Sequence, residues 1–109
     1  MRLEYYDLEK LKREIITILQ QYIDMQNYRV FFFGSRVTGK GTDRSDIDVG
    51  IEGPPIPPQA WFDIQEAFEN LPILYKVEIV DFNRVSPQFR DIALQNIEEF
   101  VTKNDAIKI

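Results

Sequence analysis

The stretch FFFGSRVTGKGTDRSDIDVGIEG, residues 31 to 53, decides the reading of this 109-residue chain. An apolar run ending at Phe33 meets Gly34-Ser35. Ten residues later Asp46-Ile47-Asp48 opens a second apolar run. The pattern predicts a strand, a small-residue turn, a basic loop and a returning strand that carries two carboxylates. Gly34 lets the backbone approach a ligand closely. The N–H groups of such a turn and the Ser35 hydroxyl suit phosphate oxygens. Asp46 and Asp48 are hard oxygen ligands, and Mg²⁺ usually binds through one or two carboxylates plus substrate phosphates. The stretch is a candidate site for a metal-bound nucleoside triphosphate.

Side chains alternate along a strand, so Asp46 and Asp48 share one face while Ile47, Val49 and Ile51 point to the core. Two like charges side by side destabilise each other unless a cation neutralises them. Such a pair also occurs in solvated turns, and its place on an otherwise apolar strand sets this one apart. Residues 73 to 82, ILYKVEIVDF, predict a third strand. There Val77 and Ile79 face one way, Lys76 and Glu78 the other. Glu78 beside Asp46 and Asp48 would complete a three-carboxylate metal site; the alternative is a surface pair with Lys76. Asp81 has the opposite parity and ranks below Glu78.

The charge pattern adds to this. Net charge is −5, which argues against direct nucleic-acid binding. Yet residues 29 to 44 hold Arg29, Arg36, Lys40 and Arg44 against Asp43 alone. A basic loop in an acidic protein suits local anion binding, with Arg best fitted for bidentate contact to phosphate. Arg36, Lys40 and Arg44 are therefore candidate phosphate contacts beside Gly34 and Ser35; a solvated loop is the plainer alternative. There is no Cys and no His, which removes thiolate–zinc sites, Cys nucleophiles and imidazole bases. Any metal must be held by oxygen, favouring Mg²⁺, Mn²⁺ or Ca²⁺.

Two other motifs fail. Gly34 to Lys40 matches the start of a P-loop, but Gly41 stands where Ser or Thr is required, and the following residues run into a strand rather than a helix holding phosphates. The DRSDIDVG stretch lacks the ligand spacing of an EF-hand.

Outside the central stretch, Leu8, Leu11, Ile15, Ile18, Leu19 and Tyr22 predict a helix over 7–22, capped by Asp7. A first strand covers 28–33 and a second 47–52. The Gly53 to Pro58 run breaks regular structure. A helix then carries Trp61, Phe62, Ile64, Ala67, Phe68 and Leu71. Ser86-Pro87 starts a last helix, whose apolar face runs through Phe89, Ile92, Ala93, Leu94, Ile97 and Phe100. The order is α-β-β-α-β-α in one domain, 1–109. No apolar run is long enough to span a bilayer, and the charged N-terminus does not read as a signal peptide. A cytoplasmic protein with no membrane partner is expected.

GSRVTGKGTDRSDIDVGI resembles the GS-x10-DxD signature of the DNA polymerase β-like nucleotidyltransferases, and VEIVDF with the small size resembles their minimal members (MNT). The resemblance runs from about Tyr28 to Phe82. It implies an α/β (α+β) fold: a small mixed sheet with helices packed on one side. It implies nucleotide-binding roles for Gly34 and Ser35, and metal-binding and catalytic roles for Asp46, Asp48 and Glu78, with two Mg²⁺ ions and Mn²⁺ as a substitute. The family's third carboxylate is most often Asp, so Glu78 is a departure. The reaction implied is two-metal transfer of a nucleotide from ATP or another nucleoside triphosphate, with pyrophosphate leaving. Minimal members often pair as antitoxins with HEPN-domain toxins and transfer AMP to a toxin tyrosine. The resemblance thus implies an adenylyltransferase acting on a HEPN partner. The competing reading is a weak or inactive antitoxin that neutralises its partner by binding alone.

Overall fold

The protein is described by a computed structural model over residues 1–42 and 44–102. Asp7 caps the first helix, α1 (Leu8–Leu19), its carboxylate accepting from the Glu9 N–H at 2.9 Å. Leu11, Ile15 and Leu19 recur at helical spacing and are fully buried. The helix stops at Leu19, short of Tyr22, which is exposed. A 3-10 turn over Met25–Asn27 leads into β1 (Arg29–Phe33).

Four strands form one mixed sheet in the order β3-β2-β1-β4. The central strands β1 and β2 (Ile47–Glu52) are antiparallel, with Phe33 opposite Asp48 and Arg29 opposite Glu52. Strand β3 (Val77–Asp81) runs parallel to β2. A parallel neighbour needs a crossover, here α3 (Pro58–Glu69), which opens on Pro58 after the proline-rich break.

The sheet is covered on both faces, and β1 shows why. Val30 and Phe32 join Ile47, Val49, Ile51, Val77 and Ile79 under α1 and α3. Phe31 and Phe33 point the other way and join Phe82 in a second cluster. A run of three phenylalanines suits only a strand buried on both faces. Fully burying one such side chain stabilises by about 1.5–3 kcal/mol.

The mixed sheet with α1 and α3 on one side is as the sequence implied. The C-terminal part differs. The last helix, α4 (Pro87–Ala93), ends well before Phe100, and Glu98–Val101 forms a fourth strand, β4, antiparallel to β1. Phe100 stacks on Phe32 with ring centroids 4.6 Å apart. Apolar residues at 89, 92, 93, 97 and 100 fit a helix equally well. The unpaired edge of β1 and the face of Phe32 draw the last of them into the sheet. Ala93, Leu94 and Ile97 instead pack on the Phe31, Phe33 and Phe82 cluster, so the α4 region covers the face opposite α1 and α3. The basic loop also holds a one-turn helix, α2 (Ser35–Thr38).

Candidate active site

Strand β1 delivers the chain to Gly34, whose φ of 83° and ψ of −162° lie where only glycine sits without strain. A Cβ at this position would collide with Asp48 Oδ2. The carboxylate of β2 thus rests directly against the turn that ends β1. The one-turn α2 follows and ends at Gly39 in the left-handed conformation. The Lys40 and Gly41 N–H groups then both donate to the Ser35 carbonyl at 3.0 Å, folding the loop back over the turn.

The three basic candidates separate. Arg36 donates from Nε to the Ser45 carbonyl at 2.8 Å, and its guanidinium lies 4.9 Å from the centroid of the Tyr75 ring. It braces the loop against the segment before β3. Arg44 is exposed and lies in the turn that Thr42 and Ser45 close by mutual hydrogen bonds. Of the three, only Lys40 lines the cleft that Asp48 and Glu78 also line.

Asp46 stands one residue ahead of β2, and Asp48 lies within it. Asp48 and Glu78 are direct partners across the parallel β2–β3 ladder, so both project from one face. Asp48 is half-buried and Glu78 exposed. Burial first, then the charge of Glu78, then that of Asp46, push the Asp48 carboxyl up to about 6. Asp81 has the other parity and a different role. It is 4% exposed, accepts from the Asn83 N–H at 2.9 Å and pairs with Arg84 at 3.3 Å, which fixes the turn after β3.

Among the described residues no three carboxylates converge closely enough to cage an ion by themselves. The donor set nonetheless suits a hard divalent cation that completes its shell with phosphate oxygens and water. It is all oxygen, Asp48 and Glu78 line one cleft with Asp46 two residues before Asp48, and Asp48 is held in a charge-crowded state that a cation relieves.

The cleft has a volume of about 740 Å³. Gly34, Lys40, Asp48 and Glu78 line it, and α4 with the residues after it supplies the opposite wall through Phe89, Ile92, Gln95 and Asn96. Sequence reasoning treated that wall only as an apolar helix face. The available signal was Gln95-Asn96, two amides that interrupt the apolar periodicity just where the helix stops.

The Polymerase beta, Nucleotidyltransferase family matches residues 6–106 of the chain. This chain belongs to that family. The chain is 35% identical over 98 residues to the "Probable protein adenylyltransferase MntA" of Haemophilus influenzae, covering 84% of each protein. Its fold matches that of a toxin–antitoxin crystal structure with AMP-PNP, at a TM-score of 0.66 and 20% identity over 86% of this chain and 76% of the other. It also matches the structure of a tri-AMPylated Shewanella oneidensis HEPN toxin in complex with MNT antitoxin, at a TM-score of 0.64 and 17% identity, covering 91% and 76%. As a nucleotidyltransferase, the chain uses a fold in which the β1 turn and the start of β2 meet at one cleft. No helix among the described residues is long and apolar enough to cross a membrane.

Proposed function

We propose that this nucleotidyltransferase moves AMP from ATP onto a hydroxyl, such as that of a tyrosine, of a HEPN-type protein partner, and so acts as its antitoxin. The carrying observation is the seat of Asp48 against Gly34 with Glu78 opposite, in a cleft roomy enough for a nucleotide. The name of the Haemophilus relative and the AMPylated toxin in the Shewanella complex support the choice of AMP and of partner.

Asp46 and Asp48 would hold a divalent ion, Mg²⁺ in the first instance, with Glu78 as a third carboxylate. A bound ion of this kind neutralises charge on the phosphate oxygens and on the departing pyrophosphate. The chain's own groups do the rest. The Gly34 turn brings bare backbone against the triphosphate, and Lys40 pairs with a phosphate oxygen. Glu78, exposed at the mouth, is placed to accept the proton of the attacking hydroxyl. The new bond joins that oxygen to the α-phosphorus, and the bond to the bridging oxygen breaks. Pyrophosphate leaves, and the partner keeps the AMP. Glu78 is one methylene longer than Asp, which suits a base that reaches from an exposed strand position.

The experiment is intact-mass spectrometry of the cognate partner after incubation with the protein, Mg²⁺ and ATP. Each transfer adds about 330 Da, the mass of AMP less water, as displacement at the α-phosphorus requires. An Asp46→Asn/Asp48→Asn protein should add none. An unmodified partner that the double variant still neutralises would show that binding alone is the activity.

A further inference from the structure

The cleft has two chemically different walls. One carries the Gly34 turn, Lys40, Asp48 and Glu78, and on the reading above takes the phosphates and metal. The other is α4, and nothing in the transfer step uses it. Phe89 is 42% exposed and Ile92 70% exposed, although both are large and apolar and both line the cleft. Gln95 and Asn96 follow at the end of the same wall.

This wall is fastened in place. Ser86 Oγ accepts from the Phe89 N–H at 3.1 Å and caps α4. Arg90 pairs with Glu52 at the end of β2, and Glu52 also accepts from Arg29 Nε at 2.6 Å. Phe89 meets the ring of Phe33 edge-on, with centroids 6.1 Å apart and planes at 89°, and lies 6.0 Å from Phe82. Phe33 immediately precedes Gly34. The aromatic shelf and the phosphate turn are therefore built on the same end of β1.

We propose that α4 is the nucleobase wall of the cleft: the base lies on Phe89 and Ile92, and the Gln95 and Asn96 amides read its edge. This rests on the nucleotide-transfer reading above and assigns the part of the site it leaves open. A base has a flat π-face that stacks on an aromatic side chain and an edge of mixed donors and acceptors. Gln and Asn each offer both. The acceptor's hydroxyl must instead reach the carboxylates on the opposite wall and has no use for the two amides.

The test is calorimetric titration of the full chain in Mg²⁺ with ATP and with ribose 5-triphosphate, which lacks only the base. The wild type should bind ATP about tenfold or more tightly than ribose 5-triphosphate, the difference expected of one stacked base. Phe89→Ala/Ile92→Ala should shrink that gap to about twofold while leaving ribose 5-triphosphate affinity unchanged. Gln95→Ala/Asn96→Ala touches exposed side chains only, so it keeps the fold. It should flatten the order of affinities among ATP, GTP, CTP and UTP. The proposal is overturned by a wild type that binds the two triphosphates equally, by an unchanged gap in the α4 variant, or by an unchanged nucleotide order in the amide variant. The base gap and the AMP transfer are read separately. Transfer without a gap removes the wall and keeps the function; a gap without transfer does the reverse.

Discussion

Asp48 and Glu78 face each other across the parallel β2–β3 ladder, one half-buried and the other exposed. That asymmetry gives them different surroundings. The half-buried member has its carboxyl pushed up to about 6, so its ionised form is the costlier of the two and a bound cation would relieve it. The exposed member, Glu78, is the one proposed above as proton acceptor. Two titratable groups in one register but different environments can take different roles in a single site.

The raised Asp48 carboxyl makes a stability prediction for the metal-free protein. An Asp whose folded pKa lies above its unfolded value binds more protons folded than unfolded, so stability falls as pH rises between the two. The window runs from 3.8 to about 6. The uncompensated cost is about 3 kcal/mol at 1.36 kcal/mol per unit, reduced by solvent screening of a half-exposed group to on the order of 1–2 kcal/mol. Asp48→Asn should therefore be more stable than the wild type at pH 7.5 in EDTA, with the difference closing below pH 4. Urea titrations at the two pH values measure it. An Asp48→Asn protein that is less stable at pH 7.5 would show that the native carboxylate is already satisfied.

Gly34 and Gly39 both have positive φ, but their surroundings differ. A Cβ at Gly34 meets the Asp48 carboxylate, whereas one at Gly39 meets nothing within 4 Å. Gly39→Ala should cost about 1 kcal/mol, the backbone penalty alone. Gly34→Ala should cost about 2–4 kcal/mol, because steric displacement of Asp48 is added to backbone strain, and should abolish transfer in whatever fraction folds. Chemical denaturation of the two variants separates the cases.

Glu78→Gln should leave the melting temperature near that of the wild type and reduce nucleotidyl transfer by about 10²-fold or more, the range of a lost general base. Asp81→Asn should behave in the opposite way. Its carboxylate holds the Asn83 N–H and Arg84 behind the site, so the loss falls mainly on stability, on the order of 1–3 kcal/mol for a buried, charge-assisted bond. Rates and melts of both variants, measured side by side, decide which carboxylate serves the chemistry.

Much of this was legible in the sequence because strand parity is a strict rule. The alternation of Ile47, Val49 and Ile51 with Asp48, and of Val77 and Ile79 with Glu78, fixes which side chains share a face before any pairing is known. The Asp7 cap and the Ser86-Pro87 start were local signals, and the structure places helices there. What sequence could not fix was competition between distant partners. Glu98 to Val101 pairs with β1 because a free strand edge is present, a fact absent from its own periodicity. Arg36, Lys40 and Arg44 are alike as residue types, and only the fold of the loop sends Lys40 into the cleft and Arg36 to Ser45 and Tyr75. The α4 wall was hidden for the same reason: an apolar stripe does not say whether it faces a core or a cavity.

ATP with Mg²⁺ should stabilise the protein by mass action, about 2.7 kcal/mol at a hundredfold excess over Kd. For a domain near 100 residues that is a rise in Tm of roughly 10–20 °C. The Asp46→Asn/Asp48→Asn protein should show a much smaller rise, and Mg²⁺ without nucleotide a small one in either protein, since no three described carboxylates form a cage alone. Equal rises with ATP and Mg²⁺ in both proteins would place the metal elsewhere.

Lys40 and Arg36 should fail differently when removed. Lys40 is exposed, lines the cleft and lies beside the Gly34 turn. Lys40→Ala should therefore raise the apparent KM for ATP severalfold to about tenfold, with an unchanged melt, as expected for loss of one partly screened charge pair. Arg36→Ala removes the bond to Ser45 and the contact with Tyr75. It should lower stability by about 1–2 kcal/mol and loosen the loop that carries Lys40. Arg36→Lys should not restore it, because an ammonium lacks the planar face that lies over the ring and the Nε donor that reaches the Ser45 carbonyl. A rescue by lysine, with KM restored, would show that Arg36 acts through its charge on phosphate rather than through the loop.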